Sequence, residues 1–391
     1  MSSAFQAVPD TVHRDTIARF GGPFEPLSFA VPPQPLTSFV GRERDLAAAA
    51  ALLRDAAVRL LTVTGPGGVG KTRLAMRLAG DLAPDFADGV AFVPLATVSD
   101  PGLVIDAVAQ AMGTRDTGRY APLDRLRFAL GGKRALLVLD NFEQVVAAAP
   151  EVAQLLGVCP GLKLLVTSRV PLHVAGEQEY PLVPLAVTRE HESPSRHSEA
   201  VALFEQRARA VRPGFALRDD NAADVAAICA RLDGLPLAIE LAAARSKVLS
   251  PSALLARLSD PLAVLTAGPQ DQPTRLQTMR NAIAWSYELL LPAEQVLFRR
   301  LSVFAGGFSL AAAEAVAAGP VGPPNTPTGA VGSAPSSVLD GLTSLVDKSL
   351  VWGADGPTGP AATASAAARP KPPAKTARRQ KRACSAGDSS S

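Results

Sequence analysis

The apolar positions change rhythm twice along the chain. Between Leu36 and about residue 190, short runs rich in leucine and β-branched residues alternate with amphipathic stretches: LLTVTG (60–65), VAFVPLA (90–96), ALLVLD (135–140), LKLLVTS (162–168) and YPLVPL (180–185). Strands that are apolar on both faces, separated by helical segments, belong to a parallel sheet covered by helices on both sides. An α/β domain is therefore predicted over 36–190. Over 195–265 the strand signal stops and helical spacing takes over. Val225, Ile228 and Leu232 share a face, Gly234 supplies a stop, and Pro236 pre-sets the first turn of the next helix. A third block, 274–353, is also mainly helical. Pro292 opens a segment carrying Leu297, Phe298 and Leu301, and Val338, Leu342 and Leu345 share a later face. SLVW (349–352) predicts the first strand of a hairpin.

The segments outside these blocks have a different texture. Residues 1–35 are Pro-rich and aperiodic and read as a flexible leader. A Pro/Gly loop fills 319–335, and 354–391 is an Ala/Pro/Lys/Arg stretch with a serine end, expected to be disordered. At 47% hydrophobic, the chain carries enough apolar residues for real cores. No apolar run reaches the roughly 18 residues of a membrane span, and residues 1–30 show no signal-peptide pattern. The net charge of +3 misleads, because Arg369, Lys371, Lys375, Arg378, Arg379, Lys381 and Arg382 carry all the excess and the remainder sums to −4. Basicity thus belongs to one tail, which lacks interleaved aromatics and reads as solvated charge. Cys159, Cys229 and Cys384 are too scattered for a disulfide framework, and His13, His173, His191 and His197 do not approach metal spacing. Cys159 and Cys229 read as packed thiols, and Trp285 and Tyr287, at helical spacing beside Ile283, read as core. The expected setting is the reducing cytoplasm.

GPGGVGKT (65–72) carries the chemistry. It fits the phosphate-loop pattern GxxxxGK[ST] at every required position, follows the apolar run Leu60–Thr64, and opens a helix whose Leu74, Ala75, Leu78, Ala79 and Leu82 recur at three and four. Gly65, Gly67, Gly68 and Gly70, with Pro66 and Val69 between them, let backbone amides turn around a β-phosphate without a clashing Cβ. Lys71 brings a cation to the β/γ oxygens, the Thr72 hydroxyl can ligate Mg²⁺, and the helix start at Thr72–Arg73 adds its positive end. Asp140 ends a buried run and is predicted to hold Mg²⁺ together with Thr72. Asn141 stands where many hydrolases place a second acid, Glu143 is the nearest carboxylate, and the general base is left open. LLVTSR (164–169) brings Thr167, Ser168 and Arg169 to another strand tip, where an Arg can make charge-assisted bonds to a third phosphate. The expected catalytic set is Lys71, Asp140 and Arg169.

FVGRERDL (39–46), GPGGVGKT, LLVLDN, LLVTSR and RLDGLPLAIELAAAR (231–245) together resemble the STAND nucleotide-switch ATPases of the NB-ARC type, closest to the ATPase modules of bacterial LuxR-type and SARP-type transcriptional regulators. The resemblance covers 36–352. It implies that Val40, Gly41 and Arg42 lie against adenine and ribose, and that Pro236 caps the nucleotide from a helical domain. NAIAWSYELL (281–290) and FRRLSVFAGGFSL (298–310) resemble the start of a winged helix. The implied architecture is a P-loop NTPase parallel sheet, an all-helical domain and a winged helix closed around ADP. It also implies ATP/ADP and Mg²⁺ as ligands, slow ATP hydrolysis, an effector domain or regulatory protein as partner, and nucleotide-dependent self-association. The sequence departs from the family after SLVW, where the tail reads like out-of-frame translation or a truncation more than a functional domain, and the effector module is expected to be missing. DNA binding by this chain itself is not expected. Two other readings stay open: a DNA-binding regulator acting through the winged helix and tail, and a truncated fragment that binds nucleotide without signalling.

Overall fold

The computed structural model describes residues 32–114, 120–187, 198–266, 268, 273–304, 307–318 and 337–351. Most of the expected leader, the 319–335 loop, Trp352, the basic tail, His13, His191, His197 and Cys384 lie outside the described residues.

The first block contains α1 (Glu43–Arg54), β1 (Leu60–Thr64), α2 (Lys71–Leu82), β2 (Val90–Pro94), α3 (Val104–Ala111), α4 (Pro122–Leu130), β3 (Ala135–Asp140), α5 (Ala149–Val158), β4 (Leu162–Thr167) and β5 (Glu177–Pro181). The five strands form one sheet in the order β2-β3-β4-β1-β5, and every pairing is parallel. Successive strand residues point to opposite faces, and here both faces are apolar. Leu137, Leu139, Leu164 and Val166 pack with Val108, Leu126 and Leu155 of α3, α4 and α5. Leu61, Val63, Leu136, Val138 and Leu165 pack with Leu53 of α1 and Leu74 and Leu78 of α2. This double coverage explains why four of the strands read as continuous apolar runs.

The strand order has one consequence for chemistry. β4 lies between β1 and β3, with Leu165 level with Leu61 on one side and Val138 on the other. The tip of β4 therefore emerges between the loop after β1 and Asp140 at the end of β3.

Two expected strands differ from what forms. The run YPLVPL predicted a strand over 180–185, whereas β5 spans Glu177–Pro181. β5 is an edge strand, and its Glu177, Gln178 and Glu179 give it no apolar signal. The apolar residues after it leave the sheet: Leu182 enters the core beneath α1 and α2, and Leu185 enters the core of the next domain. The hairpin strand expected at SLVW is also not formed over its described residues. Ser349 adopts φ +55°, and the amides of Leu350 and Val351 bond back to the Leu345 carbonyl, so the chain closes a helix end there.

The second block packs α6 (Glu199–Val211), α7 (Ala222–Arg231), α8 (Pro236–Ala244) and α9 (Pro251–Arg257) around Phe204, Phe215, Ile228, Ile239 and Leu254. The turn between α7 and α8 needs its glycine. Gly234 has φ +66°, and a Cβ there would lie 2.1 Å from the Leu185 carbonyl oxygen. A left-handed L-residue costs about 1–2 kcal/mol, and forcing atoms into a packed site costs about 1–3 more. Gly234→Ala is thus expected to lower stability by about 2–5 kcal/mol, read as a fall in the urea midpoint of the full chain; an unchanged midpoint contradicts this packing.

The third block consists of α10 (Met279–Glu288), α11 (Pro292–Leu301), α12 (Leu310–Ala317) and α13 (Val338–Asp347). It closes around Leu297, Leu301, Ala313 and Leu345, with Tyr287 packed against them and Ile283 packed against the second block. Cys159 and Cys229 are buried, and desolvation pushes their thiols up to about 11 and about 12 respectively. No helix among the described residues is long and apolar enough to cross a membrane.

Candidate nucleotide site

The loop between β1 and α2 has the backbone that its glycines permit. Gly65, Gly68 and Gly70 take φ +145°, +81° and +101°, a region that glycine enters without a Cβ penalty. Three of the loop's glycines are also crowded. A Cβ on Gly65 would stand 2.6 Å from the Leu182 carbonyl oxygen, one on Gly67 2.8 Å from Arg169 Nη2, and one on Gly68 2.7 Å from Leu237 Cβ. Thus the loop is roofed on one side by the β4 exit and on another by α8. Val69 is fully buried beneath it, and its carbonyl accepts a bond from Arg42 Nη2 at 3.0 Å.

Lys71 opens α2, is largely buried, and donates from Nζ to the carbonyls of Gly65 at 2.6 Å and Pro66 at 3.2 Å. Next to it, Thr72 Oγ1 donates to Asp140 Oδ1 at 2.7 Å. Asp140 is the last residue of β3 and is buried. Burial raises its pKa above the ordinary carboxylate value, and the hydrogen bonds from Thr167 and Thr72 act in the opposite direction. Thr72 and Asp140 therefore stand in direct contact, as a shared magnesium site needs. Their donor set of one hydroxyl and one carboxylate, all oxygen, suits a hard cation that keeps several waters and takes its remaining ligands from phosphate.

Arg169 lies at the other side of the loop. Its Nε is 3.2 Å from Glu143 Oε1, in a pair whose side chains are only 7% and 5% exposed, and its Nη1 donates to Ser286 Oγ on α10. The Arg169 carbonyl accepts a bond from Ser349 Oγ at 3.3 Å. One guanidinium thus joins the β4 exit, the turn after β3 that carries Glu143, and the third block, while standing against Gly67. Beside it a cavity of about 290 Å³ is lined by Glu143, Arg169, His173, Ser286, Asp347 and Lys348. Ser168 turns back on its own loop, where its Oγ accepts from the Val170 amide.

The remaining expected contacts separate into two groups. Pro236 occupies the first turn of α8, and the following Leu237 amide donates to the Gly68 carbonyl at 3.1 Å. Arg42 is buried beside the loop, its backbone N–H donating to Glu199 Oε1 on α6 at 2.7 Å and its guanidinium bonding Asp45. Gly41 takes φ +68° against the Glu199 side chain, and Val40 packs on the second block's core. Arg73 belongs elsewhere. Its guanidinium bonds Thr37 and the Ser38 carbonyl and stands 3.9 Å from Glu240, so it ties the segment before α1 to α8. Two contacts escaped the sequence reading, Thr167 on Asp140 and Leu237 on Gly68. The first required knowing that β4 separates β1 from β3; the second required the docking of α8.

No family model matches the chain. The Mycobacterium tuberculosis protein Rv0894 is 41% identical over 284 residues, which are 72% of this chain and 70% of that protein. The chain belongs to its family. In the same species, "Putative HTH-type transcriptional regulator Rv0890c" is 46% identical over 294 residues, 75% of this chain. "Regulatory protein AfsR" of Streptomyces griseus is 33% identical over 339 residues, 82% of this chain. The chain spans 31% of the length of each of these two relatives. The phosphate loop after β1, the strand-ending Asp140 and the parallel sheet that carries them are those of a P-loop NTPase fold.

Proposed function

We propose that this chain is an ADP/ATP-binding switch module of NB-ARC type, which couples the state of a bound adenine nucleotide to the packing of its helical blocks. The observation that carries this reading is the seam over the phosphate loop. The Gly68 carbonyl receives the Leu237 amide of α8, and Arg169 beside Gly67 bonds Ser286 of α10. Whatever occupies the loop therefore acts on both helical blocks at once.

In this mechanism the loop amides and the Lys71 ammonium hold the β-phosphate, and Thr72 and Asp140 hold Mg²⁺. When bound, the cation neutralises phosphate charge. A third phosphate competes with Glu143 and Ser286 for the Arg169 guanidinium, so the triphosphate loosens the third block and the diphosphate leaves it docked. Moving a population from 1:99 to 99:1 takes about 5.5 kcal/mol of differential binding. Charge-assisted bonds contribute about 1.5–3 kcal/mol each, so two to four contacts confined to the third phosphate are enough. Hydrolysis would return the switch slowly, because Glu143, the carboxylate that follows Asp140 in the chain, is engaged by Arg169.

The relatives named as regulators support a role as the regulatory module of a bacterial transcription factor, with an effector domain or protein as partner and the cytoplasm as setting. The test is the nucleotide content of purified full-length chain, followed by calorimetric titration with ADP and ATP at millimolar Mg²⁺. Near-stoichiometric ADP or micromolar binding supports the reading; material that is empty and gives no heat with either nucleotide refutes it.

A further inference from the structure

We propose that the Thr167 hydroxyl is a positioning group for the magnesium site, fixing the Asp140 carboxylate against Thr72. This rests on the nucleotide reading above. A strand-tip threonine after LLV would ordinarily face the phosphates, yet Thr167 is 1% exposed and turned into the sheet edge. Its Oγ1 donates to Asp140 Oδ1 at 2.6 Å and accepts the Asn141 backbone N–H at 2.9 Å. A hydroxyl has one proton to give. Here that proton goes to Asp140, while Asn141, held at φ +69°, blocks rotation by donating from the other side.

The effect on Asp140 is specific. Thr72 donates to the same Oδ1 at 2.7 Å, so two hydroxyls converge on one carboxylate oxygen and neither bond uses Oδ2. The carboxylate is thereby pinned in one rotamer, with Thr72 beside it, and Oδ2 remains for the cation or its water. The strand order makes this possible, since β4 emerges between the phosphate loop and β3. Groups that bond metal-holding carboxylates from behind typically change metal affinity 10–100-fold when removed.

Thr167→Val keeps the shape and deletes the hydroxyl. In the full chain, binding of a fluorescent ADP analogue is followed in EDTA and across a Mg²⁺ titration. Thr167→Val is expected to keep its EDTA affinity within about twofold of wild type and to raise the Mg²⁺ half-saturation about tenfold or more, and Thr167→Ser to restore it. If the valine variant does not fold, Thr167→Ala is read in the same way. Equal Mg²⁺ half-saturation in wild type and the hydroxyl-free variant overturns the proposal. So does a folded serine variant as impaired as the valine one. Failure of the nucleotide reading itself would look different, because the wild type would then bind no analogue with or without Mg²⁺.

Discussion

Lys71→Ala is expected to weaken both ADP and ATP by about two to four powers of ten while leaving the fold intact. The ammonium is inside the loop it serves: Nζ bonds the carbonyls of Gly65 and Pro66, and the side chain is largely buried at the start of α2. Two charge-assisted contacts to phosphate at about 1.5–3 kcal/mol each amount to about 3–6 kcal/mol, and each 1.4 kcal/mol is about tenfold in affinity. The loss falls on both nucleotides because both carry a β-phosphate. Stability should change far less, since α2 is anchored through Leu74, Leu78 and Leu82, which are fully buried. Calorimetric titration of wild type and variant, with thermal melts as the control for folding, decides it. A folded Lys71→Ala protein that binds ADP like the wild type would remove the phosphate site from consideration.

What could be read from the residues, and what could not, follows from the length scale of each interaction. The phosphate loop is local: eight consecutive residues specify its glycines, its cation and its hydroxyl, and the flanking strand and helix follow from periodicity alone. Strands covered on both faces were equally legible, because every position in β1 and β3 is buried and all are apolar except Thr62, Thr64 and the strand-ending Asp140. β5 was misplaced because an edge strand carries its polar residues in the sheet and its apolar ones beyond it. Lateral strand order leaves no mark in local pattern. That β4 stands between β1 and β3 is what brings Thr167 onto Asp140 and Arg169 onto Gly67, residues 27 positions apart in the first case. Arg73 shows the opposite limit. Its place beside Thr72 put it at the helix start expected to face the nucleotide, but a helix turns by about 100° per residue, and its side chain reaches Thr37 and Ser38.

Removing both charges of the Arg169–Glu143 pair is expected to cut discrimination between ATP and ADP by about 10–150-fold. The single change Arg169→Ala is a poor probe, because it leaves the buried Glu143 carboxylate without its partner, and breaking a buried pair costs about 3–5 kcal/mol. In Arg169→Met combined with Glu143→Gln, both side chains stay similar in volume and neither is charged, so the fold should persist. ADP affinity should hold within a few-fold, since the pair lies against Gly67 and the third block and the diphosphate is held by Lys71 and the loop amides. The contact to a third phosphate disappears, lowering ATP affinity relative to ADP by about 10–150-fold for the 1.5–3 kcal/mol of one charge-assisted bond. Ser286 simultaneously loses its link to the β4 exit. The third block should then be equally open to limited proteolysis with either nucleotide, where the wild type differs between them. If the double variant keeps the wild-type ATP to ADP affinity ratio and the nucleotide-dependent cleavage pattern, Arg169 is not the sensor, and the coupling runs through the α8 seam at Gly68 and Leu237 instead.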